Sequence, residues 1–330
     1  MNSVEPGLVA FLRDQGLCSG DEEGQWIPLA GGVSSDIWRV DTSVGSFCVK
    51  RALAELKVAA EWKAPLERNA FEWAYMEVIA QVAPGSVPEP LAHDPVRGLF
   101  AMAWLEPGRY PLWKTELLAG RIEPGVAADV GALIGRIHSA TADNPLLGAR
   151  FATDANFEML RIAPYLRTTA AAHPDLAPMI NAIARTTADT RRALVHGDVS
   201  PKNILCGPEG PVLLDAECAW FGDPAFDLAF CVNHLVIKAR VVAGKEASLR
   251  TAIDRLIAAY LAHVAWEPVK AVDTRAADLL AVLALARVDG KSPVEYLDTD
   301  QRSALRGAAR GAVAARPTSL ADCCDMLIRG

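Results

Sequence analysis

Apolar and polar positions alternate in short runs through the first part of the chain and recur at helical spacing through most of the rest. From Trp26 the sequence passes a Gly-Gly turn and continues as IWRVDT and SFCVKRA, short runs rich in β-branched and aromatic residues and separated by turn residues. Such runs predict antiparallel hairpins built from three strands. Over residues 66–83 apolar side chains recur every three or four positions until Pro84-Gly85 stops them, which predicts one helix after the third strand. Residues 90–93 and 98–105 read as two further strands, and Glu106-Pro107-Gly108 then breaks the chain. Beyond this break the texture becomes Ala- and Leu-rich, as in VAADVGALIGRIHSATA and nearly everything after Asp223, and predicts helices. The exception is 193–220, where NILC and PVLLD flank Gly207-Pro208-Glu209-Gly210 and read as a small hairpin. The pattern predicts an α+β chain, with an antiparallel-sheet N-terminal lobe carrying one main helix over 1–106 and a mainly helical C-terminal lobe over 107–330.

A length of 330 residues suits two lobes that each bury a core. With 33 Lys and Arg against 40 Asp and Glu, the net charge of −7 argues against a phosphate-tracking surface, so nucleic acid is not an expected partner. Seven cysteines, none in a CxxC pair and two of them adjacent at Cys323 and Cys324, suggest neither a disulfide framework nor a zinc site but free thiols in a reducing cytoplasm. The segment MNSVEPGLVAFLRDQG carries an acid where a signal peptide needs a base, and export is not expected. Apolar stretches at 256–266 and 277–288 are shorter than a bilayer span and bounded by charges, as buried helices are, so no membrane association is expected. The reading is a soluble cytoplasmic protein. Apolar helical surfaces in the second lobe leave a homodimer open, with no heptad seam to decide it.

Chemistry concentrates in LVHGDVSPKNILCGPEGPVLLDAECAWFGDPAFDLA. Asp198 and Asn203 fall on a loop before the hairpin, and Asp215 and Glu217 follow its second strand. Phosphoryl transfer needs hard oxygen ligands to hold Mg²⁺ against phosphates and one carboxylate to take or orient the proton of the attacking hydroxyl. Asp215 and Asn203 suit the first task and Asp198 the second. Each alone is an ordinary turn residue; the order and spacing of the set single them out. Lys50, at the third strand, offers a cation for the α- and β-phosphates, although a lysine in such a place is commonly just exposed.

HGDVSPKN resembles the HGDxxxxN catalytic loop of the aminoglycoside phosphotransferase and choline kinase superfamily, and LLDAECAWFGDPAFDLA resembles that superfamily's metal-binding segment. The resemblance implies a bilobal protein-kinase-like fold and a kinase that uses ATP and Mg²⁺ to phosphorylate a small-molecule hydroxyl. Residue by residue it implies Asp198 as the catalytic base, Asn203 and Asp215 as magnesium ligands, and Glu217 as the second acid of a DxD/E pattern. It implies that His196 and Asp227 brace the loop and that a helix glutamate pairs with Lys50, Glu72 being the choice and Glu77 its rival. Lys202 either touches the γ-phosphate or the substrate or is a solvated loop lysine. In LAGGVSSDIW the resemblance assigns phosphate contacts to the backbone of Gly32, Val33, Ser34 and Ser35, although Gly31-Gly32 serves equally well as a plain hairpin turn. In LFAMAWLEP it assigns the adenine edge to backbone atoms from Ala103 to Leu105. The first lobe then binds ATP and ends in a hinge, and the second carries the catalytic loop and substrate pocket.

Within the superfamily FCVKRALAELKV, EWKAPLERNAFE and DAECAWFGDPAFD resemble the methylthioribose kinase branch. The chain departs from that branch in its Pro-Lys-Asn loop ending, where the branch has a loop closer to HGDLHTGS, and in keeping only Arg287, within ARVDGKSPVEYL, of a paired arginine. Arg287 and Lys291 either line the acceptor pocket or end a helix as solvated bases. Trp38, Trp62, Trp73, Trp104, Trp113 and Trp220 offer aromatic walls or pack cores. The acceptor is left as a sugar-like, amino-alcohol or aminoglycoside-like hydroxyl. Two other readings are a protein kinase, opposed by the missing GxGxxG, HRD and APE signals, and a non-catalytic nucleotide-binding regulator, opposed by the presence of Asp198, Asn203 and Asp215 together.

Overall fold

The computed structural model describes residues 5–29, 35–53 and 67–329. The chain divides into two compact units, Met1–Tyr110 and Pro111–Gly330. In the first, helix α1 (Pro6–Asp14) precedes strands β1 (Gln25–Pro28), β2 (Ser35–Asp41) and β3 (Ser46–Ala52), then helix α2 (Arg68–Val82) and strands β4 (Pro90–Asp94) and β5 (Leu99–Ala103). The strands form one antiparallel sheet in the order β1-β2-β3-β5-β4. Side chains alternate across a strand, and β3 uses both faces. Phe47 and Val49 join Leu8, Phe11 and Leu12 of α1 in a buried cluster with Val40, Leu99 and Ala101. Lys50, the residue after Val49, therefore points to the opposite face, where α2 lies against β3, β4 and β5. α1 is an element the sequence reading did not contain. It begins at Pro6, whose fixed φ suits a first helical turn. β5 ends two residues before the expected 105, because its pairing with β3 runs only to Ala103 opposite Phe47, so Leu105 lies beyond the sheet.

The second unit contains helices α3 (Trp113–Leu118), α4 (Pro124–Thr141), α5 (Pro145–Arg150) and α6 (Asp154–Phe157), then a wide π-helix over Glu158–Arg167. Helices α7 (Thr168–Ala172) and α8 (Ala177–Asp189) follow, and after the strands α9 (Ala225–Val241), α10 (Glu246–Leu261), α11 (Val269–Asp289), α12 (Thr299–Ala315) and α13 (Leu320–Arg329). Two small antiparallel ribbons interrupt the helices. β6 (Ala193–Val195) pairs with β9 (Trp220–Gly222), and β7 (Ile204–Gly207) pairs with β8 (Gly210–Leu213) as the expected hairpin. The Asp198–Asn203 segment thus joins β6 to β7, and Asp215 and Glu217 lie between β8 and β9. α4 packs on α10 at unusually short range, since a Cβ on Gly131 would stand 2.2 Å from the Leu256 carbonyl oxygen. That contact sets His138, two turns on in α4, beside Tyr260 of α10, its Nδ1 2.9 Å from the Tyr260 hydroxyl.

Among the described residues no helix is long and apolar enough to cross a membrane. The apolar stretch at 277–288 lies within α11, whereas 256–266 is the end of α10 plus the turn after it. All seven cysteines are free thiols.

Candidate active site

The loop after β6 is fixed by one buried carboxylate. Asp227, on the first turn of α9, accepts the backbone N–H of His196 at its Oδ2 and that of Gly197 at its Oδ1, both at 2.8 Å. His138 Nε2 donates to the same Oδ2 at 3.2 Å. Gly197 has φ +79°, and a Cβ there would meet the Cys218 carbonyl oxygen at 2.7 Å, so only glycine fits the turn. The His196 ring completes the brace, accepting the Asp198 N–H at Nδ1 (3.2 Å) and donating from Nε2 to the Leu214 carbonyl (3.1 Å). These partners define a neutral ring with its proton on Nε2.

Burial pushes the pKa of His196 below its usual 6.5 against the opposing pull of Asp227, Asp198 and Asp215. The unfolded chain therefore binds a proton near pH 6.5 that the folded chain refuses until lower pH. The stability this ring contributes is complete above about pH 6.5 and drains away as pH falls toward the folded value. Urea midpoints measured from about pH 7 down to about pH 5 are expected to fall more steeply for the wild type than for His196→Gln; equal slopes would contradict this reading of the ring.

Asp198 is 4% exposed and receives two cations on one oxygen. Arg161 Nη2 and Lys202 Nζ each lie 3.0 Å from Asp198 Oδ2. Lys202 is half exposed, and its pKa is raised, chiefly by the charge of Asp198. Arg161 is buried in the π-helix, donating also to the Gly197 and Leu160 carbonyls. Arg161 was absent from the sequence reading. Its one local signal is Pro164, which cannot continue an ordinary helix and stands inside the π-helix.

Asn203, Asp215 and Glu217 come together with this loop. The Leu214 N–H bonds the Asn203 carbonyl at 2.9 Å, bringing Asn203 beside the Asp215 turn. Asn203 Nδ2 donates to the Asp198 carbonyl at 3.1 Å, so the amide oxygen is the atom Asn203 can offer a metal. Asp215 has φ +65°, the left-handed region in which a non-glycine residue costs about 1–2 kcal/mol. A strained acid at the end of a strand is a common mark of a functional position. The carboxylates of Glu217, Asp198 and Asp215 all act on the Cys218 thiol, which burial raises well above its usual range. Among the described residues no three His, Cys, Asp or Glu form a ready metal cage. The oxygens present, two carboxylates and the Asn203 amide oxygen, are hard donors that suit Mg²⁺, which takes one or two carboxylates and completes its octahedron with water and substrate phosphates.

In the first unit, Lys50 Nζ bonds Glu72 Oε2 at 2.6 Å, with both side chains only 3% exposed. Glu77, five residues further along α2, is not its partner in this pair. A buried ion pair adds little stability over an apolar pair of the same size, so retaining one points to function. Ser35 opens β2 opposite Ala52, which places it in the sheet; Gly32, Val33 and Ser34 lie outside the described residues. The Ala103 N–H is spent on the Glu89 carbonyl at 2.9 Å, so Ala103 can present only its carbonyl to an adenine.

Arg287 does end α11, but its guanidinium turns inward, donating to the Ser292 carbonyl at 2.5 Å. Lys291 lies just beyond the end of α11 and is exposed. The tryptophans pack within their units: Trp113 and Trp220 are buried, Trp220 stacks on Phe157 at 4.2 Å, Trp73 stacks on His93 at 5.0 Å, Trp38 meets Trp26 edge-on, and Trp104 lies under Arg39. Trp62 lies outside the described residues. A surface hollow of about 350 Å³ beside the β7–β8 turn, lined by Asp129, Arg136 and Glu209, contains none of the site residues.

The sequence profile of the phosphotransferase enzyme family matches residues 25–272. Methylthioribose kinase 1 of Oryza sativa subsp. japonica is 24% identical over 231 residues, covering 61% of this chain and 53% of that kinase. The methylthioribose kinase of Escherichia coli O45:K1 is 25% identical over 247 residues, covering 66% and 58%. The chain thus spans little more than half the length of these relatives. The crystal structure of choline kinase from Cryptosporidium parvum shares the fold, with a TM-score of 0.57 at 11% identity over 93% of this chain and 95% of that one.

Proposed function

The chain belongs to the phosphotransferase enzyme family, and on that premise we propose that it transfers the γ-phosphate of ATP, with Mg²⁺, to a hydroxyl of a small molecule. The observation that carries this reading is Asp198 on its braced loop, held by Arg161 and Lys202 with Asn203 and Asp215 at hand. Asp198 is the group that takes or orients the proton of the attacking hydroxyl. The two cations on Oδ2 fix the carboxylate in one orientation, which a near-attack geometry requires. Asn203 and Asp215, supported by Glu217, would hold the metal, which supplies charge neutralisation of the phosphates when bound. Lys50, kept in place by Glu72, serves the α- and β-phosphates. On this reading residues 1–106 serve the nucleotide, with the Ala103 carbonyl and the backbone at Leu105 toward adenine, and 107–330 serve catalysis and the acceptor.

The test is ATP affinity with and without the metal. For the wild type, calorimetry is expected to show Mg²⁺ tightening ATP binding; in Asp215→Ala that gain falls by about tenfold or more, while binding in EDTA stays as in the wild type. Wild-type affinity indifferent to Mg²⁺ would remove the metal assignment.

A further inference from the structure

In a chain with more acids than bases, the second unit gathers cations at one place near the catalytic loop. Lys238 of α9 is 1% exposed, yet its ammonium bonds only a backbone carbonyl, that of His234 at 3.4 Å, and lies 5.7 Å from the Tyr296 ring. No carboxylate among the described residues pairs with it. Burial and the neighbouring charges of Lys114 and Arg287, against a smaller opposing pull from each of Cys231 and Glu295, lower its pKa to about 7. Burial first, and then the charges of Arg287, Lys238, Lys202 and Lys114, depress His234 as well. Lys114 lies 3.7 Å from the exposed Glu295, a contact that solvent screens, and Lys202 is paired with Asp198.

Two more groups face the same way in chemical terms. Arg287 Nε and the Tyr296 hydroxyl are buried with no hydrogen-bond partner among the described residues. With the Lys238 ammonium they make a set of unmatched groups whose protons all seek an acceptor atom. Clustering like charges and leaving donors unmet are each unfavourable in a protein interior. A ligand rich in acceptor atoms and carrying negative charge would relieve both. The cluster adjoins the phosphotransfer machinery through one ring: Arg287 lies 6.0 Å from the Tyr165 ring and Arg161 5.9 Å from it, and Arg161 bonds Asp198.

We propose that Lys238, Arg287 and Lys114, with the Tyr296 hydroxyl, bind an anionic group of the acceptor, a carboxylate or a phosphate, while the acceptor's hydroxyl meets Asp198. The proposal rests on the phosphotransfer reading and narrows its acceptor to an anionic hydroxy compound. Polycations and quaternary amines are thereby disfavoured. Selection comes from opposite charge and from donors that a neutral or cationic acceptor leaves unmet.

The test uses the full chain and a three-carbon series, glycerate, glycerol 3-phosphate and glycerol, with choline as the cation, each titrated calorimetrically. At least one anion is expected to bind about tenfold or more tighter than glycerol and choline, and the tighter of the two identifies carboxylate or phosphate. Lys238→Met is expected to erase that preference, and Lys238→Arg to restore part of it. A wild-type-like melting curve for Lys238→Met guards against misfolding. Because Lys238 is charged only below about pH 7, glycerate, whose own charge is constant above about pH 5, is expected to bind more weakly as pH rises from about 6 to about 9. Equal binding of all four probes, including none, or anion preference that persists in Lys238→Met, overturns the proposal. ATP-dependent phosphorylation of choline, undiminished in Lys238→Met, overturns it while leaving phosphotransfer standing. Anion binding that Lys238→Met abolishes, in a protein that transfers phosphate to no hydroxyl compound, upholds the anion site and instead overturns the phosphotransfer reading.

Discussion

Asp198→Asn is expected to lower kcat by about 10²–10⁴-fold, the usual contribution of a positioned general base, with ATP affinity little changed. The asparagine keeps the shape and can still accept hydrogen bonds on its amide oxygen. It cannot take a proton from a hydroxyl, and its NH₂ meets Arg161 or Lys202 badly wherever it points toward them. Part of the loss is therefore local rearrangement, because Arg161 loses its charged partner inside the protein. Nucleotide binding separates the two effects. If the loop had collapsed, Asn203 would move with it and Mg²⁺-dependent ATP affinity would fall as well. Full activity in the variant would remove Asp198 from the chemistry.

Asp227→Ala is expected to be the most damaging substitution for folding. It strands the N–H groups of His196 and Gly197 and the Nε2–H of His138, all buried. At about 1–3 kcal/mol for each unmet donor, the sum over the three is about 3–9 kcal/mol, a large share of the 5–15 kcal/mol that holds a typical domain together. Asp227→Asn offers little relief, since its NH₂ must face one of the same backbone donors. Urea denaturation reads this directly; a loss below about 1 kcal/mol would mean that the loop is held by something other than this carboxylate.

What was legible in the sequence and what was not divides along a physical line. The hairpin at 204–213 was readable because apolar runs flank a Gly-Pro-Glu-Gly turn, and the Asp198, Asn203 and Asp215 set because local spacing encodes it. α2 was readable as a helix, but the choice between Glu72 and Glu77 depends on which side of that helix faces β3, which no local pattern states. β6 and β9 are three residues each and too short to carry a periodic signal. Arg161 stands 37 positions before Asp198 in a segment whose one local irregularity, Pro164, names no partner, and only the tertiary structure brings the two together. The same holds for Arg287, whose inward turn depends on the chain reversal at Ser292. Contacts an adenine would make with backbone atoms leave no side-chain trace at all.

Transfer of the γ-phosphate of ATP to a small-molecule hydroxyl through Asp198 is read by following γ-labelled phosphate from ATP into acid-stable organic phosphate, with pooled hydroxy acids, sugar phosphates, sugars, amino alcohols and aminoglycosides as acceptors. Label is expected in one pool with the wild type, none after EDTA, and a trace at most with Asp198→Asn. Bound ATP with no label in any pool, or transfer by Asp198→Asn at the wild-type rate, would contradict it.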